Sequence, residues 1–509
     1  MFRNFFTKRK RINNLKNNRI KIKVNQYDID FFNTNLINFV QKKNPKVSII
    51  IPVYNQIKFT LNCLYSIQNN IENIDTEIIV INDNSTDETL KYLEKIQGIQ
   101  IITNQENKGF LLNVNEGIKK AKGEYIYLLN NDTEVQSGFL SSLLNVFNSK
   151  KDVGAVGSML IFPDGLLQEA GCKIYKNCII RSIGRFCSAD FPMYNYFRKV
   201  SYCSGCSLLF KRVNKSGELN LLDEIYAPAY YEETDLCMRL KYEQGLNVYY
   251  QPESRIVHFE SISYSGKDLE STKNYLMKKN EKIFLDRWGD KFSETFENDS
   301  QDEKIDPNKP SVLLLEEVIP TFDHDPEANR FTEIVRNLIE HDIKVYLALS
   351  RFDQGYAPSY VSHFENMGVQ VIREYINHKN KIVSEKKQIK TLSSTIDYVW
   401  IFRPTGFKYW YPVIKKHKFH AKVIYDMVDL HHLWFEKEGE SQKITNKQKK
   451  KNLKMKKLEY SIMQKADKVV AINNTEKDII INNGIEEDKI LVINNIHSMK
   501  RIVPENSFS

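Results

Sequence analysis

Val47-Ser48-Ile49-Ile50-Ile51-Pro52-Val53-Tyr54-Asn55 is the stretch whose reading decides the fold. Its first five residues form a nearly unbroken β-branched run, the pattern of a strand covered on both faces. Pro52 has no amide to donate, and with Asn55 it marks the end of that strand. Leu61, Leu64, Tyr65, Ile67 and Ile71 then recur at near-helical spacing. Residues 77–81 read as the next strand and 83–87 as the loop after it. Ser85, with Glu88 three residues on, has the spacing of a capping box opening a helix through Leu90 and Leu93. Residues 99–102 give a third strand. Asn107-Lys108-Gly109 leads into a helix through Val114 and Ile118, and 125–129 give a fourth strand. Strand alternating with helix predicts parallel crossovers and a doubly wound α/β sheet.

Four polar insertions sit at strand ends: Asn82-Asp83-Asn84-Ser85-Thr86-Asp87, Asn130-Asn131-Asp132, Glu232-Glu233-Thr234-Asp235, and His258 after Ile256-Val257. Ligands of open α/β sheets bind outside the carboxyl ends of the strands. Carboxylates gathered there with one imidazole suit a hard cation, a diphosphate and a base in one cleft. Each acid alone also reads as an ordinary turn former, and His258 alone as a packed strand-end histidine.

From 47 to about 292 these motifs resemble, in order, a family-2 glycosyltransferase of the GT-A type. The resemblance rests on 47–55, Val80-Ile81-Asn82-Asp83-Asn84-Ser85-Thr86-Asp87, Asn107-Lys108-Gly109-Phe110, Leu128-Leu129-Asn130-Asn131-Asp132-Thr133, 231–239 and His258. It implies a nucleotide-diphospho-sugar donor with Mn²⁺ or Mg²⁺. Pro52, Val53 and Tyr54 would line a nucleobase pocket and Asp83 would bond the base. Asn107, Gly109 and Asn131 would lie near the nucleotide, and Asp132 and His258 would hold the metal. The family usually begins its metal motif with an acid, where this chain has Asn130. Its Glu-Asp pair is here Glu232-Glu233, with Glu233 taken as the base and Glu232 as runner-up. Asp235 and Arg239, at i and i+4, are expected to pair structurally. The implied chemistry is inverting transfer to a hydroxyl of a glycan, lipid-linked or protein-linked acceptor, in surface polysaccharide or glycoconjugate synthesis. The alternative is a catalytically inactive glycan- or nucleotide-binding scaffold. A sugar nucleotidyltransferase would want a Gly-rich strand-to-helix loop, which 52–55 is not.

The chain has 509 residues, too many for one core. Hydrophobic residues make up 41% and charged residues 27%, as in globular domains. Nine Lys or Arg and no acid fall within residues 1–27, so the net charge of +9 is carried by that leader. The body has no basic stripe, which argues against a nucleic-acid partner. The leader, with Phe2, Phe5 and Phe6, could touch an anionic membrane face peripherally. No apolar run reaches the roughly 20 residues of a membrane span. Seven cysteines, all within 63–237, imply reduced thiols and a cytoplasmic location. Cys203-Ser204-Gly205-Cys206 has zinc-knuckle spacing but no second matched pair.

The expected organisation is a basic leader (1–45), a GT-A glycosyltransferase domain (46–292), a charged linker (293–310) and a second Rossmann-like domain (311–509). The last resembles the acceptor-side half of a GT-B glycosyltransferase, through Val312-Leu313-Leu314-Leu315, 425–431, 466–473 and 492–497. The usual glycine-bearing loop after its first strand is replaced by Asp325-Pro326-Glu327-Ala328-Asn329-Arg330, and no donor-binding half is expected to follow. Strands are expected at 343–349, 369–372, 397–402, 422–426, 468–472 and 489–493. Asp429, His431 and His432 are its candidates for acceptor binding, set against ordinary strand-end packing.

Overall fold

The structure is a computed structural model that describes residues 20–175, 179–260, 267–292, 309–324, 326–350, 358–377, 381–433 and 445–495. The basic cluster before residue 20 and the charged linker at 293–308 lie outside them. The chain divides into two compact units, one within Lys16–Gln301 and the other within Asp302–Ser509.

In the first unit, β1 (Val47–Val53) is buried at every position, as its β-branched run requires. With β2 (Thr76–Asn82), β3 (Gln100–Thr103) and β4 (Tyr125–Leu129) it forms the parallel half of a ten-stranded sheet, in the order β3-β2-β1-β4. The other half is mixed. β5 (Thr133–Val135), β6 (Val153–Ile161) and β7 (Leu167–Glu169) are followed by a separate hairpin of β8 (Cys172–Ile174) and β9 (Ile180–Ser182). Then come β10 (Arg198–Val200), β11 (Ser207–Lys211) and β12 (Asn247–His258). β11 runs antiparallel between β4 and β6, and β12 lies parallel to β6. Parallel winding therefore stops at β4, and the doubly wound expectation holds for its first four strands.

The helices are α1 (Ile57–Asn70), α2 (Thr89–Leu93), α3 (Phe110–Lys120), α4 (Phe139–Ser149), α5 (Glu232–Tyr242) and α6 (Lys267–Trp288). Alternate residues of β1 feed cores on the two faces: Ile50 packs with Val114 and Ile118 of α3, while Ile49 and Ile51 pack with Leu61 and Leu64 of α1. Gly117 lets α3 lie close to the sheet, since a Cβ there would come within 2.7 Å of Ile50 Cγ2. The capping box at Ser85 does not form. Its hydroxyl accepts the Asn55 amide at 2.8 Å, and α2 starts at Thr89, whose amide Asp87 accepts at 3.0 Å. Cys203 and Cys206 pack in the cores on opposite faces of the sheet, so the zinc-knuckle spacing brings no thiol pair together.

The second unit is a seven-stranded sheet, parallel throughout. Its strands are β13 (Ser311–Glu316), β14 (Lys344–Leu349), β15 (Gln370–Ile372), β18 (Tyr398–Phe402), β19 (Lys422–Asp426), β20 (Lys468–Ala471) and β21 (Ile490–Val492); β16 (Tyr375–Ile376) and β17 (Ile382–Val383) make a separate hairpin. The order β15-β14-β13-β18-β19-β20-β21 is Rossmann-like. Helices α7 (Pro326–Glu340), α8 (Pro358–Met367), α9 (Glu385–Thr391), α10 (Pro404–Lys416), α11 (Asn446–Lys465) and α12 (Asn474–Asn482) complete it. The Lys-rich stretch around 450 is α11, opened by a capping box of Thr445 and Gln448. Glu459 on its buried face accepts the amides of His431 and His432 at 2.9 and 3.4 Å and the His432 ring at 2.5 Å. Both histidines are therefore tied to α11, His432 fully buried and His431 partly exposed. Among the described residues no helix is long and apolar enough to cross a membrane.

Candidate functional site

Asp83, Asn130-Asn131-Asp132 and His258 lie at the carboxyl ends of strands, whereas Glu232-Glu233-Thr234-Asp235, expected at a strand end, opens helix α5; main-chain geometry brings two of these segments together. β4 ends at Leu129 and hands the chain through Asn130-Asn131-Asp132 to β5, whose Thr133 pairs with His258 of β12. The Phe259 amide donates to the Asp132 carbonyl at 3.0 Å. Their side chains follow: His258 Nε2 lies 3.2 Å from Asp132 Oδ1, both residues being buried. His258 Nδ1 lies 3.0 Å from Gln168 Oε1, delivered by β7. An amide oxygen there accepts a hydrogen bond from Nδ1 and leaves Nε2 as the nitrogen turned toward Asp132. Burial opposes a charged ring, but the Cys206 thiol and the Asp132 carboxylate outweigh it and hold His258 well above its usual range.

The carboxylate pair stands on the first turn of α5, after Tyr230 and Tyr231, both in the left-handed region at φ 76° and 74°. Such backbone is uncommon for non-glycine residues and must be held from outside. Asn280 of α6 does so: its Nδ2 lies within 3.0 Å of the carbonyls of Tyr226, Ala229 and Tyr230. Glu232 and Glu233 face a cleft of about 640 Å³ whose lining includes Asn130, Tyr202, Ser204, Gly205 and Cys206. Glu232 is buried, and one carboxylate oxygen has no hydrogen-bond partner among the described residues. Burial, then the charge of Glu233, pushes it well above the usual carboxylate range. Burial also raises Glu233, against backbone amides that favour its charged form, among them that of Gly205. A third acid, Glu169, is raised first by burial. It accepts the Ser204 amide at 3.0 Å and interacts electrostatically with both Glu233 and His258. Asp235 is fully buried and structural, bonded to Arg239 as expected and also to Arg287, Tyr226 and Trp288.

The residues assigned to the nucleotide are placed less uniformly. Asp83 is buried; its carboxylate accepts the amides of Lys108 and Gly109 at 2.8 and 2.9 Å and the Asn104 side chain at 2.8 Å. It therefore ties the loop 107–109 to β2. Gly109, at φ +81°, is packed so closely that a Cβ would come within 2.6 Å of Pro228 Cβ. Pro52 and Val53 are buried, Val53 within the core, and the Val53 carbonyl accepts the Asp83 amide at 2.8 Å. Tyr54 and Asn107 are exposed at the same strand ends. The Asn131 amide donates to Thr60 of α1 at 2.9 Å, which fastens the metal-motif turn to that helix.

Gln168, Glu169, Cys206 and Asn280 had no assigned role in the sequence reading. Only the pairing of β6 with β7 shows that the side chains of Gln168 and Glu169 belong to the site. Among the described residues no three His, Cys, Asp or Glu side chains gather as a ready metal cage. Asp132 and His258 are a carboxylate and an imidazole set face to face. That donor pair, one carboxylate oxygen and one imidazole nitrogen, fits a divalent cation.

Residues 48–215 match the family model described as Glycosyl transferase family 2. A GalNAc(5)-diNAcBac-PP-undecaprenol beta-1,3-glucosyltransferase of Campylobacter jejuni is 34% identical over 132 residues, 25% of this chain and 40% of that protein. O-antigen biosynthesis protein RfbC of Myxococcus xanthus is 29% identical over 238 residues, 45% of this chain and 18% of that protein. The chain thus spans less than half the length of these relatives. Among solved structures, GalNAc-T7 with UDP, GalNAc and Mn²⁺ aligns over 49% of each chain at 13% identity, with a TM-score of 0.38. The family match and the strand order give a GT-A-type α/β domain, followed by a second, Rossmann-like α/β domain.

Proposed function

We propose that the chain moves a sugar from a nucleotide-diphospho-sugar to a hydroxyl of a glycan, lipid-linked or protein-linked acceptor, with inversion at the anomeric carbon. The observation that carries this reading is the meeting of Asp132 and His258 at 3.2 Å, next to Cys206, which interacts with His258 and lines the cleft that Glu233 of α5 also lines. The family-2 match over 48–215 and relatives named for glucosyl transfer and O-antigen synthesis support it.

Asp132 and His258 would hold a divalent cation, which when bound neutralises charge on a departing diphosphate. The remaining work belongs to the chain. Tyr54, exposed beside the Asp83-tied loop 107–109, would receive the base and ribose. Glu233, made more basic by burial while backbone amides favour its charged form, would accept the proton of the acceptor hydroxyl. Glu232, whose burial favours the neutral acid, would keep a second negative charge away from that base. Attack then comes from the face opposite the leaving diphosphate. The basic leader would hold the enzyme at an anionic membrane face on the cytoplasmic side.

The test is release of free nucleotide from a panel of nucleotide sugars with and without Mn²⁺. The expected result is cation-dependent turnover that Asp132→Ala abolishes. Undiminished turnover by that variant would overturn the assignment.

A further inference from the structure

The turn that carries the carboxylate pair is gripped by one stripe of α6. Asn280, Phe284, Arg287 and Trp288 recur at i, i+4, i+7 and i+8, the spacing of a single helix face. Asn280, Phe284 and Trp288 are buried. All four meet the stretch 223–235. Asn280 Nδ2 donates to the carbonyls of Tyr226, Ala229 and Tyr230 at 2.8, 2.9 and 3.0 Å. The ring of Phe284 lies against that of Tyr231, with centroids 5.2 Å apart. Arg287 Nη1 reaches Asp223 Oδ2 at 2.8 Å and Asp235 Oδ1 at 3.1 Å, and Trp288 Nε1 donates to that same Asp235 oxygen at 2.9 Å.

Glu232 and Glu233 lie between these holding points. Tyr230 and Tyr231, just before them, are left-handed in succession, a conformation in which Cβ crowds the following carbonyl oxygen. Such a pair persists only while its surroundings hold it. If it relaxed, the first turn of α5 would rotate and carry both carboxylates with it. The opposite wall has little slack, since a Cβ on Gly205 would stand 3.4 Å from Cβ and Cγ of Glu233.

Packing does not call for an asparagine at 280. An amide has two N–H groups, here shared among three carbonyls. Its Oδ1 is buried with no hydrogen-bond partner among the described residues. A leucine of similar size would fill the place without that desolvated oxygen. What the asparagine supplies instead is a fixed position for three carbonyls of one turn. Asn280 is not in the lining of the cleft, although Asn274, Met277, Lys278 and Glu281 of the same helix are.

We propose that Asn280 is a positioning residue for the transfer reaction: by holding the turn 226–231 it sets Glu233 against the acceptor hydroxyl. It acts on proton removal and leaves donor binding alone. The proposal rests on the assignment of Glu233 as base.

The test compares the full chain with Asn280→Leu, which keeps the bulk and loses the donors, and with Asn280→Ser, which keeps one donor. Rates are normalised to the folded fraction, so lost stability does not enter. For Asn280→Leu, kcat should fall about 10–100-fold, the scale of a misplacement near 1 Å. Affinity for the nucleoside diphosphate of the donor, with Mn²⁺, should stay within a factor of about two. Asn280→Ser should fall between the two. A second readout needs no turnover: the titration of the Glu232 and Glu233 carboxyl carbons by ¹³C NMR, assigned with Glu233→Gln. Burial raises both acids, so a loosened turn that admits water should titrate at lower pH. Glu169, Tyr202 and Cys237 also act electrostatically with Glu233, and none is a hydrogen-bond partner of Asn280. Full kcat with unchanged titration in Asn280→Leu would overturn the proposal, as would equal losses of kcat and nucleotide affinity. A natural chain that transfers nothing, yet whose carboxyls shift in Asn280→Leu, would sink the base assignment and uphold the hold of Asn280 on the acid pair.

Discussion

Gln168 decides how His258 can serve a cation. Its Oε1, 3.0 Å from Nδ1, fixes both the ring's rotation and the nitrogen that carries the proton. Gln168→Leu removes that acceptor from a buried ring, and Mn²⁺ affinity should fall about 10–100-fold, the usual cost of losing such a partner. Titration followed by electron paramagnetic resonance measures this directly, and Gln168→Glu should retain binding; equal affinity for the Leu variant would show that Gln168 only packs. Glu233 is tested by a different split. Glu233→Gln keeps the contact with Gly205 but cannot accept a proton, so transfer should drop about 10²–10⁴-fold. The affinity for donor nucleotide should stay within a factor of two or so, as the base acts on the acceptor. Equal losses in both would instead make Glu233 a binding group.

The loop 107–109 acts as one element with the end of β2, because a single carboxylate accepts two of its amides. Gly109→Ala forces a side chain into the left-handed region and onto Pro228, and should cost about 2–4 kcal/mol. Urea unfolding followed on amides of β1 and β2 would show it, and a loss below about 0.5 kcal/mol would mean the loop relaxes freely. The element scale also shows what could be read in the sequence. Strand β4 was expected at 125–129 and β19 at 422–426, and both are found there, because continuous apolar runs between polar turns admit little else. Strands β5, β7 and β10 have three residues each, too few to show a period of two, and only their sheet partners define them. That is why Asp132 and His258 were legible as site residues while Gln168 and Glu169 were not. Ser85 failed as a cap for a related reason: a hydroxyl at a strand end has several amides within reach, and sequence spacing does not say which one it takes.

At the scale of the whole molecule, a chain of two units has no single unfolding free energy, so stability must be read locally. Glu316, the last residue of β13, offers such a reading. It is buried, and desolvation pushes its carboxyl up to about 7 against the pull of Arg403 and the Glu317 amide. Asp426 on β19 and the Glu317 carboxylate face it and reinforce the rise. The folded unit therefore keeps a proton that the unfolded chain, with an ordinary glutamate, gives up near pH 4.5. Between those two values the native state binds more protons than the unfolded state, so stability falls as pH rises. Below about 4.5 and above about 7 the contribution is level. The loss across the window is on the order of 3 kcal/mol, from 1.36 kcal/mol for each unit of pKa difference. Hydrogen exchange of the β13 and β18 amides, corrected for intrinsic rates, should show protection decreasing from pH 5 to pH 8. Glu316→Gln mimics the protonated form. It should match the natural chain at pH 5, exceed it at pH 8, and abolish most of the slope. Protection that rises with pH in the natural chain, or a slope unchanged by Glu316→Gln, would mean that Arg403 keeps Glu316 ionised and that the burial of this carboxylate costs the second unit nothing.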